Sequence, residues 1–142
     1  MAIRTESINT EDELAEAFSI RRQVFIIDQN VPEEIEMDEF DKVAQHALAY
    51  WNEIPVGTAR WRHTDKGAKL ERFAVLKDYR KIGIGKALVE FILKQLESVE
   101  MVYLSAQEPV IQFYEKFSFE CIGERFFEAN IPHRQMILRR QI

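Results

Sequence analysis

The chain has little of what would commit it to a specialised chemistry. Its single cysteine, Cys121, cannot close an internal disulfide. No stretch approaches the about 18 consecutive apolar residues of a membrane span, and residues 1–20 lack a basic start followed by an apolar run. Acidic residues (24) outnumber basic ones (19), and the net charge of −5 argues against a general nucleic-acid binder. The three histidines, His46, His63 and His133, are scattered without ligand spacing, so no metal is implied. Five glycines and four prolines leave no linker or low-complexity tract, and no internal repeat is visible. What remains is 142 residues with 46% hydrophobic and 30% charged content, enough for one core. We expect a single domain over residues 1–142, in the cytoplasm, as a monomer or homodimer with no nucleic-acid or membrane partner.

Two of the scarce glycines fall in one turn, Arg80-Lys81-Ile82-Gly83-Ile84-Gly85-Lys86-Ala87. Before it, Leu70 to Leu76 has the apolar and aromatic content of a buried strand, and after it Ile84, Ala87, Leu88, Phe91, Ile92, Gln95 and Leu96 mark one side of a long helix. A helix beginning near Gly83 leaves its first N–H groups unpaired and its dipole positive there, which favours an anion. Glycine permits positive φ and removes bulk, while Lys77, Arg80, Lys81 and Lys86 add charge against Asp78 alone. The turn therefore reads as a phosphate cradle.

Spacing separates it from two other cradles. A Walker loop needs glycine where Arg80 stands and a hydroxyl where Ala87 stands, which weakens a nucleotide phosphohydrolase reading. A dinucleotide fingerprint needs Gly or Ala in place of Leu88.

Along the chain, Ile3 to Ile8 alternates as a strand, and Thr10 with Glu13 spells a capping box ahead of a helix face apolar except at Arg21. Residues 28–41 hold seven carboxylates and no base, readable as a solvated face or as an acidic wall drawing a cationic amine. Gln45–Trp51 and Pro55–His63 predict a hairpin about Asn52-Glu53, followed through Asp65-Lys66-Gly67 by the Leu70 strand. Met101–Ala106 predicts a strand parallel to it, and Val110, Phe113, Tyr114 and Phe117 predict a short helix starting at Pro109. Glu120–Phe127 and Arg134–Arg140 predict two last strands, with Asn130 and Pro132 in the connection.

This order resembles the GNAT superfamily of N-acetyltransferases over essentially the whole chain. R-x-x-G-x-G-K-A resembles its acetyl-coenzyme A motif, and Phe113-Tyr114-Glu115-Lys116-Phe117-Ser118-Phe119 resembles its F-Y-x-K-x-G-F segment. Val24 to Pro32, Asp41 to His46 and Ala106-Gln107 are similar to motifs of a branch of small bacterial members. The resemblance implies an α/β (α+β) fold: a mixed, mostly antiparallel sheet of about six or seven strands flanked by about four helices, with a βαβ coenzyme site. Ser118 departs from the family's glycine at a place where a helix commonly ends left-handed, at a cost of about 1 kcal/mol for a residue with a Cβ.

The resemblance also implies roles. Phe73, Ala74 and Val75 would pair with the pantetheine arm, Arg80, Lys81, Ile82, Gly83, Ile84, Gly85, Lys86 and Ala87 would hold the pyrophosphate, and Gln107 would join the coenzyme contacts. Tyr114 would protonate the departing sulfur, with core packing as its other reading. Glu71 lies near where related enzymes place a catalytic glutamate, although Arg72 beside it offers an ion-pair partner. His46 and His133 are further candidate bases, since imidazole titrates near neutrality, and a water chain would need no protein base. Phe25, Asp28, His46 and His133 are the acceptor-side candidates. Cys121 has no histidine adjacent in sequence, so direct transfer to an amine in a ternary complex is preferred over an acetyl-cysteine route. A coenzyme-binding module that kept the fold without turnover is the alternative. The acceptor would be a small-molecule or peptide amine.

Overall fold

The computed structural model describes residues 2–140. Its frame is a seven-stranded sheet in the order β1-β2-β3-β4-β5-β7-β6. The strands are β1 (Ile3–Ser7), β2 (Gln45–Trp51), β3 (Ile54–Thr64), β4 (Gly67–Val75), β5 (Met101–Gln107), β6 (Glu120–Glu128) and β7 (Ile131–Arg139). All neighbours are antiparallel except β4 and β5, which run parallel because helix α3 (Ile84–Gln95) connects them. Among the described residues no helix is long and apolar enough to cross a membrane.

Each face of the sheet is covered by a helix whose pattern requires it. Helix α1 (Glu11–Arg21) begins at the expected capping box: the Thr10 hydroxyl accepts from the Glu13 N–H, and the Glu13 carboxylate accepts from the Thr10 N–H. It buries Ala17, Ile20 and, in the turn beyond, Val24 against Leu48 and Ala74. On the opposite face α3 buries Ile84, Leu88, Val89 and Ile92 against Ala47, Ala49, Val56 and Leu104. Each large aliphatic side chain so buried stabilises the fold by about 1.5–3 kcal/mol relative to exposure. The alternation of Ala47, Leu48 and Ala49 between the two layers is the period of two of a strand buried on both sides.

The structure departs from the sequence expectation at four places. After Arg21 the chain continues helically through Arg22–Asp28, but in wider π-type turns, which carry Val24, Phe25 and Gln29 to the end of the sheet. The acidic stretch is cut into two short pieces, α2 (Glu33–Glu36) and a 3₁₀ turn at Glu39–Lys42, the latter started by the Asp38 carboxylate accepting from the Phe40 N–H. Strand β7 begins at Ile131 and takes in Pro132, because the turn lies at Ala129 and Asn130, both at positive φ. Pro132 pairs only with β6, so its missing N–H interrupts no second ladder. The Glu108–Val110 turn is 3₁₀, and helix α4 (Ile111–Glu115) follows it.

Just beyond α4, Ser118 has φ of 72°, the left-handed conformation that its place implied. Ser118→Gly is expected to raise stability by about 1 kcal/mol, read as a shift in the urea midpoint at unchanged m-value.

Candidate active site

Strands β4 and β5 pair at only three positions, Ala68 with Val102, Lys69 with Tyr103 and Leu70 with Leu104. Beyond Leu70 they part, and the opening between Glu71–Val75 on one side and Ser105–Gln107 on the other is the floor of a cleft of about 850 Å³. The parting has a local cause in β4. Thr58 pairs with Ala74 and Arg60 with Glu71, so Arg72 and Phe73 together oppose Ala59, and Arg72 takes up this bulge with φ of 57°. No glycine marks the place, and nothing in the sequence signals it.

At one end of the cleft stands the glycine turn. Gly83 has φ of 101° and caps α3, a conformation that strains any residue with a Cβ. Gly85 has a different constraint: a Cβ there would lie 3.2 Å from the Phe113 ring, so its bareness lets α3 approach α4. Arg80, Lys81, Gly83, Gly85 and Lys86 line the cleft, as do Phe73, Ala74, Val75 and Gln107. Ile82, Ile84 and Ala87 do not: Ile82 is exposed and Ile84 is packed in the core beneath Gly57. Arg80 Nε donates to the Val75 carbonyl at 2.9 Å, tying the turn to the end of β4.

Tyr114 lies in the wall between, packed edge-on against Phe73, Phe113 and Phe119 with ring centroids 5.8, 5.0 and 6.1 Å away. Burial raises its pKa well above the usual phenol value, so the hydroxyl holds its proton at neutral pH. It is both a core aromatic and a cleft residue. Across the cleft mouth, the side-chain amides of Gln29 and Gln107 exchange two hydrogen bonds of 3.1 Å, joining segments 78 residues apart.

The other half of the cleft is framed by a buried ion network. Arg21 and Arg60 are 1% and 0% exposed. Arg21 donates to the Glu36 carboxylate at 2.5 Å and to Asp41 at 2.6 Å; Arg60 donates to Asp38 and Asp41, both at 2.7 Å, and to Glu71 at 3.1 Å. Arg72 joins Glu36 at 2.7 Å and Asp38 at 3.1 Å. Burial alone would raise the pKa of Asp38, Asp41 and Glu71, but the guanidinium bonds outweigh it and hold all three below the usual carboxylate range. Glu36 goes the other way, raised by burial that Arg21 and Arg72 offset only in part.

This network revises two readings of the sequence. Residues 28–41 divide in two: Asp28, Glu33, Glu34 and Glu39 are exposed, as a solvated face requires, whereas Glu36, Asp38 and Asp41 are spent on arginines and form no free acidic wall. Nor is Arg72 the partner of Glu71, which is held by Arg60, Arg62 and Lys69. Of the acceptor-side candidates, Phe25 and His133 line the cleft. Asp28 lies outside the cleft lining, accepting from Gln23 at 3.0 Å. His46 is not among the residues lining the cleft; its Nε2 lies 3.0 Å from the Asp41 carbonyl oxygen, and burial lowers its pKa. Cys121 is half-buried, paired in register with Met136. Among the described residues no group of His, Cys, Asp and Glu has metal-site geometry. Sequence reading missed Arg21 and Arg60 as core residues. Their signal was a charge interrupting an apolar face, together with a nearby run of acids lacking bases.

Removing one partner strands a buried charge, so Arg60→Ala is expected to cost about 3–5 kcal/mol in urea denaturation. Lowered carboxyl pKa values give stability that is present above the unfolded values, near about 4, and lost as pH falls through the folded ones. Thermal melts should therefore hold between neutrality and about pH 5 and fall below about pH 4, with Glu36 partly compensating, and Asp41→Asn should show a lower but flatter profile.

Sequence comparisons converge on one family. The family model described as an acetyltransferase (GNAT) domain matches residues 7–140. An uncharacterized N-acetyltransferase of Bacillus subtilis, YjcF, is 38% identical over 130 residues, covering 89% of this chain and 93% of that protein. Among solved structures, an N-acetyltransferase from Lactobacillus plantarum, described as putative, superposes with a TM-score of 0.88 at 19% identity, covering 98% and 99% of the two chains. A GNAT family acetyltransferase from Elizabethkingia anophelis with acetyl-CoA bound superposes with a TM-score of 0.73 at 12% identity, covering 97% and 98%.

Proposed function

We propose that this chain, which belongs to the GNAT acetyltransferase family, moves an acetyl group from acetyl-coenzyme A directly to a primary amine in the cytoplasm. The observation that carries the reading is the parting of β4 and β5 beyond Leu70, with an anion-attracting helix start at one end and a protonated phenol in the wall. Among the described residues the β5-facing peptide groups of Glu71 to Val75 have no strand partner, which suits an extended amide-bearing arm. Lys81 and Lys86 with the first N–H groups of α3 suit the diphosphate.

In the reaction, the amine nitrogen bonds to the thioester carbonyl carbon and the carbon–sulfur bond breaks. The leaving sulfur takes a proton, and Tyr114 is the donor we assign, because it lines the cleft and a phenol is protonated at neutral pH. Glu71 suits the role of base poorly. Three cations hold it ionised, so it contributes to the cleft mainly as a fixed negative charge. Direct transfer fits better than an acetyl-cysteine, since Cys121 is not among the cleft residues.

Calorimetric titration should show saturable coenzyme A binding that weakens with added salt, and absence of heat would remove the reading. Gly83→Val should weaken that binding by forcing a Cβ into positive φ at the cap. In a thiol-release assay across an amine panel, Tyr114→Phe should lower kcat by about 10²–10⁴-fold at nearly unchanged coenzyme affinity. Saturable binding with no turnover of any amine would instead favour the coenzyme-binding module.

A further inference from the structure

Resting on the acetyltransferase reading, we infer that His133 is the base that takes the proton from the acceptor amine. Three side chains were candidates by type, and their surroundings separate them. Glu71 is ion-paired to Arg60, Arg62 and Lys69. His46 lies outside the cleft lining, its Nε2 engaged with the Asp41 carbonyl and its Nδ1 buried without a partner among the described residues. His133 lines the cleft.

The ring of His133 is set for the task by its neighbours. Its Nδ1 lies 2.7 Å from the Ile131 carbonyl oxygen. A carbonyl can only accept, so Nδ1 carries the hydrogen, and in the neutral ring the lone pair is on Nε2. Nε2 has no protein partner among the described residues, yet it is absent from the polar atoms that are both buried and unpaired, so it keeps open surface in a residue only 8% exposed. Phe126 stacks on the ring at 5.8 Å and 26°, which holds its plane. The charged groups on the adjoining elements are engaged elsewhere or stand at the rim: Arg125 pairs with Glu108, Arg134 donates to the Gly123 carbonyl, and Glu128 lines the cleft from β6. None hydrogen-bonds the imidazole.

The proton balance closes. Nε2 accepts a proton from the ammonium form of the acceptor, freeing the nitrogen lone pair that attacks the thioester carbon. As carbon–nitrogen bonding is completed and carbon–sulfur bonding is lost, Tyr114 protonates the sulfur and recovers a proton from the nitrogen through solvent. The His133 imidazolium then releases its proton to water. The products are the acetamide, coenzyme A thiol and one proton, with no other reactant.

His133→Asn tests this selectively. The asparagine amide nitrogen stands about where Nδ1 stands, so the bond to Ile131 can persist while Nε2 is deleted. The probes are acetyl-coenzyme A with spermidine, glucosamine, phenethylamine and short peptides with free amines. With whichever amine the native protein acetylates, His133→Asn should lower kcat by about 10²–10⁴-fold at unchanged coenzyme affinity. Its residual rate should climb with pH through the amine's own ionisation range, as solvent supplies the free amine. A kcat within about twofold of native overturns the inference. If the variant misfolds by circular dichroism, or the native protein binds coenzyme but turns over no probe, nitrogen-15 spectra of histidine-labelled native protein decide. A bare Nε2 on His133 supports the inference, and a proton on Nε2 in the neutral ring overturns it. Failure of native protein to bind coenzyme is a separate result, visible before any variant is made, and it removes the acetyltransferase reading along with this one.

Discussion

Two guanidinium groups with almost no exposure to water organise one half of the molecule and one side of its cleft. Desolvating an arginine costs several kcal/mol, and only near-complete hydrogen bonding offsets that. Arg21 comes from α1 and Arg60 from β3, and Asp41 accepts from both. The chain between Glu36 and Asp41 is thus held in one position against the sheet by charge geometry more than by apolar contact. Val31, Ile35 and Glu36, which line the cleft, take their places from this anchoring. Such a network contributes less to net stability than to uniqueness, because most alternative positions of the segment would leave a buried charge unpaired.

The bulge in β4 depends on the same charges. Arg72 holds a left-handed backbone conformation that costs a residue with a Cβ about 1–2 kcal/mol. Its guanidinium reaches Glu36, Asp38 and the carbonyls of Ile35 and Glu36, which offsets that strain. The bulge precedes Phe73, Ala74 and Val75, the stretch of β4 whose β5 side is open. Buried electrostatics on one face of the sheet therefore shape the backbone edge on which an extended ligand arm would lie.

The apolar side of the cleft follows a different rule. Phe73, Phe113, Tyr114, Phe117 and Phe119 form a set of edge-on aromatic contacts that joins β4, α4 and the start of β6. Gly85 lets α3 approach that cluster closely. The glycine turn and Tyr114 are thus mechanically linked through Phe113. A low-dielectric surrounding keeps the phenol protonated, whereas on the arginine side fixed cations keep carboxylates ionised. One cleft therefore holds a protonated phenol and a fixed carboxylate charge, without a metal-type cluster among the described residues.

Much of this was legible in the residue order because it is local. The capping box at Thr10, the period of α3, the Asn52-Glu53 hairpin and the left-handed place of Ser118 each rest on a few neighbouring residues, and the family motifs are contiguous segments. Long-range pairing was not legible. Arg21, Arg60 and Asp41 are far apart in sequence, and their type alone places them at the surface. The start of β7 at Ile131 depended on which neighbour Pro132 would face. The surroundings of Glu71, His46 and His133 were likewise set by tertiary structure: the first is ion-paired, the second engaged with the Asp41 carbonyl outside the cleft lining, and the third lines the cleft. Propensity, capping and periodicity act over a turn or two of chain and are written in the sequence; desolvation and charge pairing depend on distances through space, and only the folded sheet sets those.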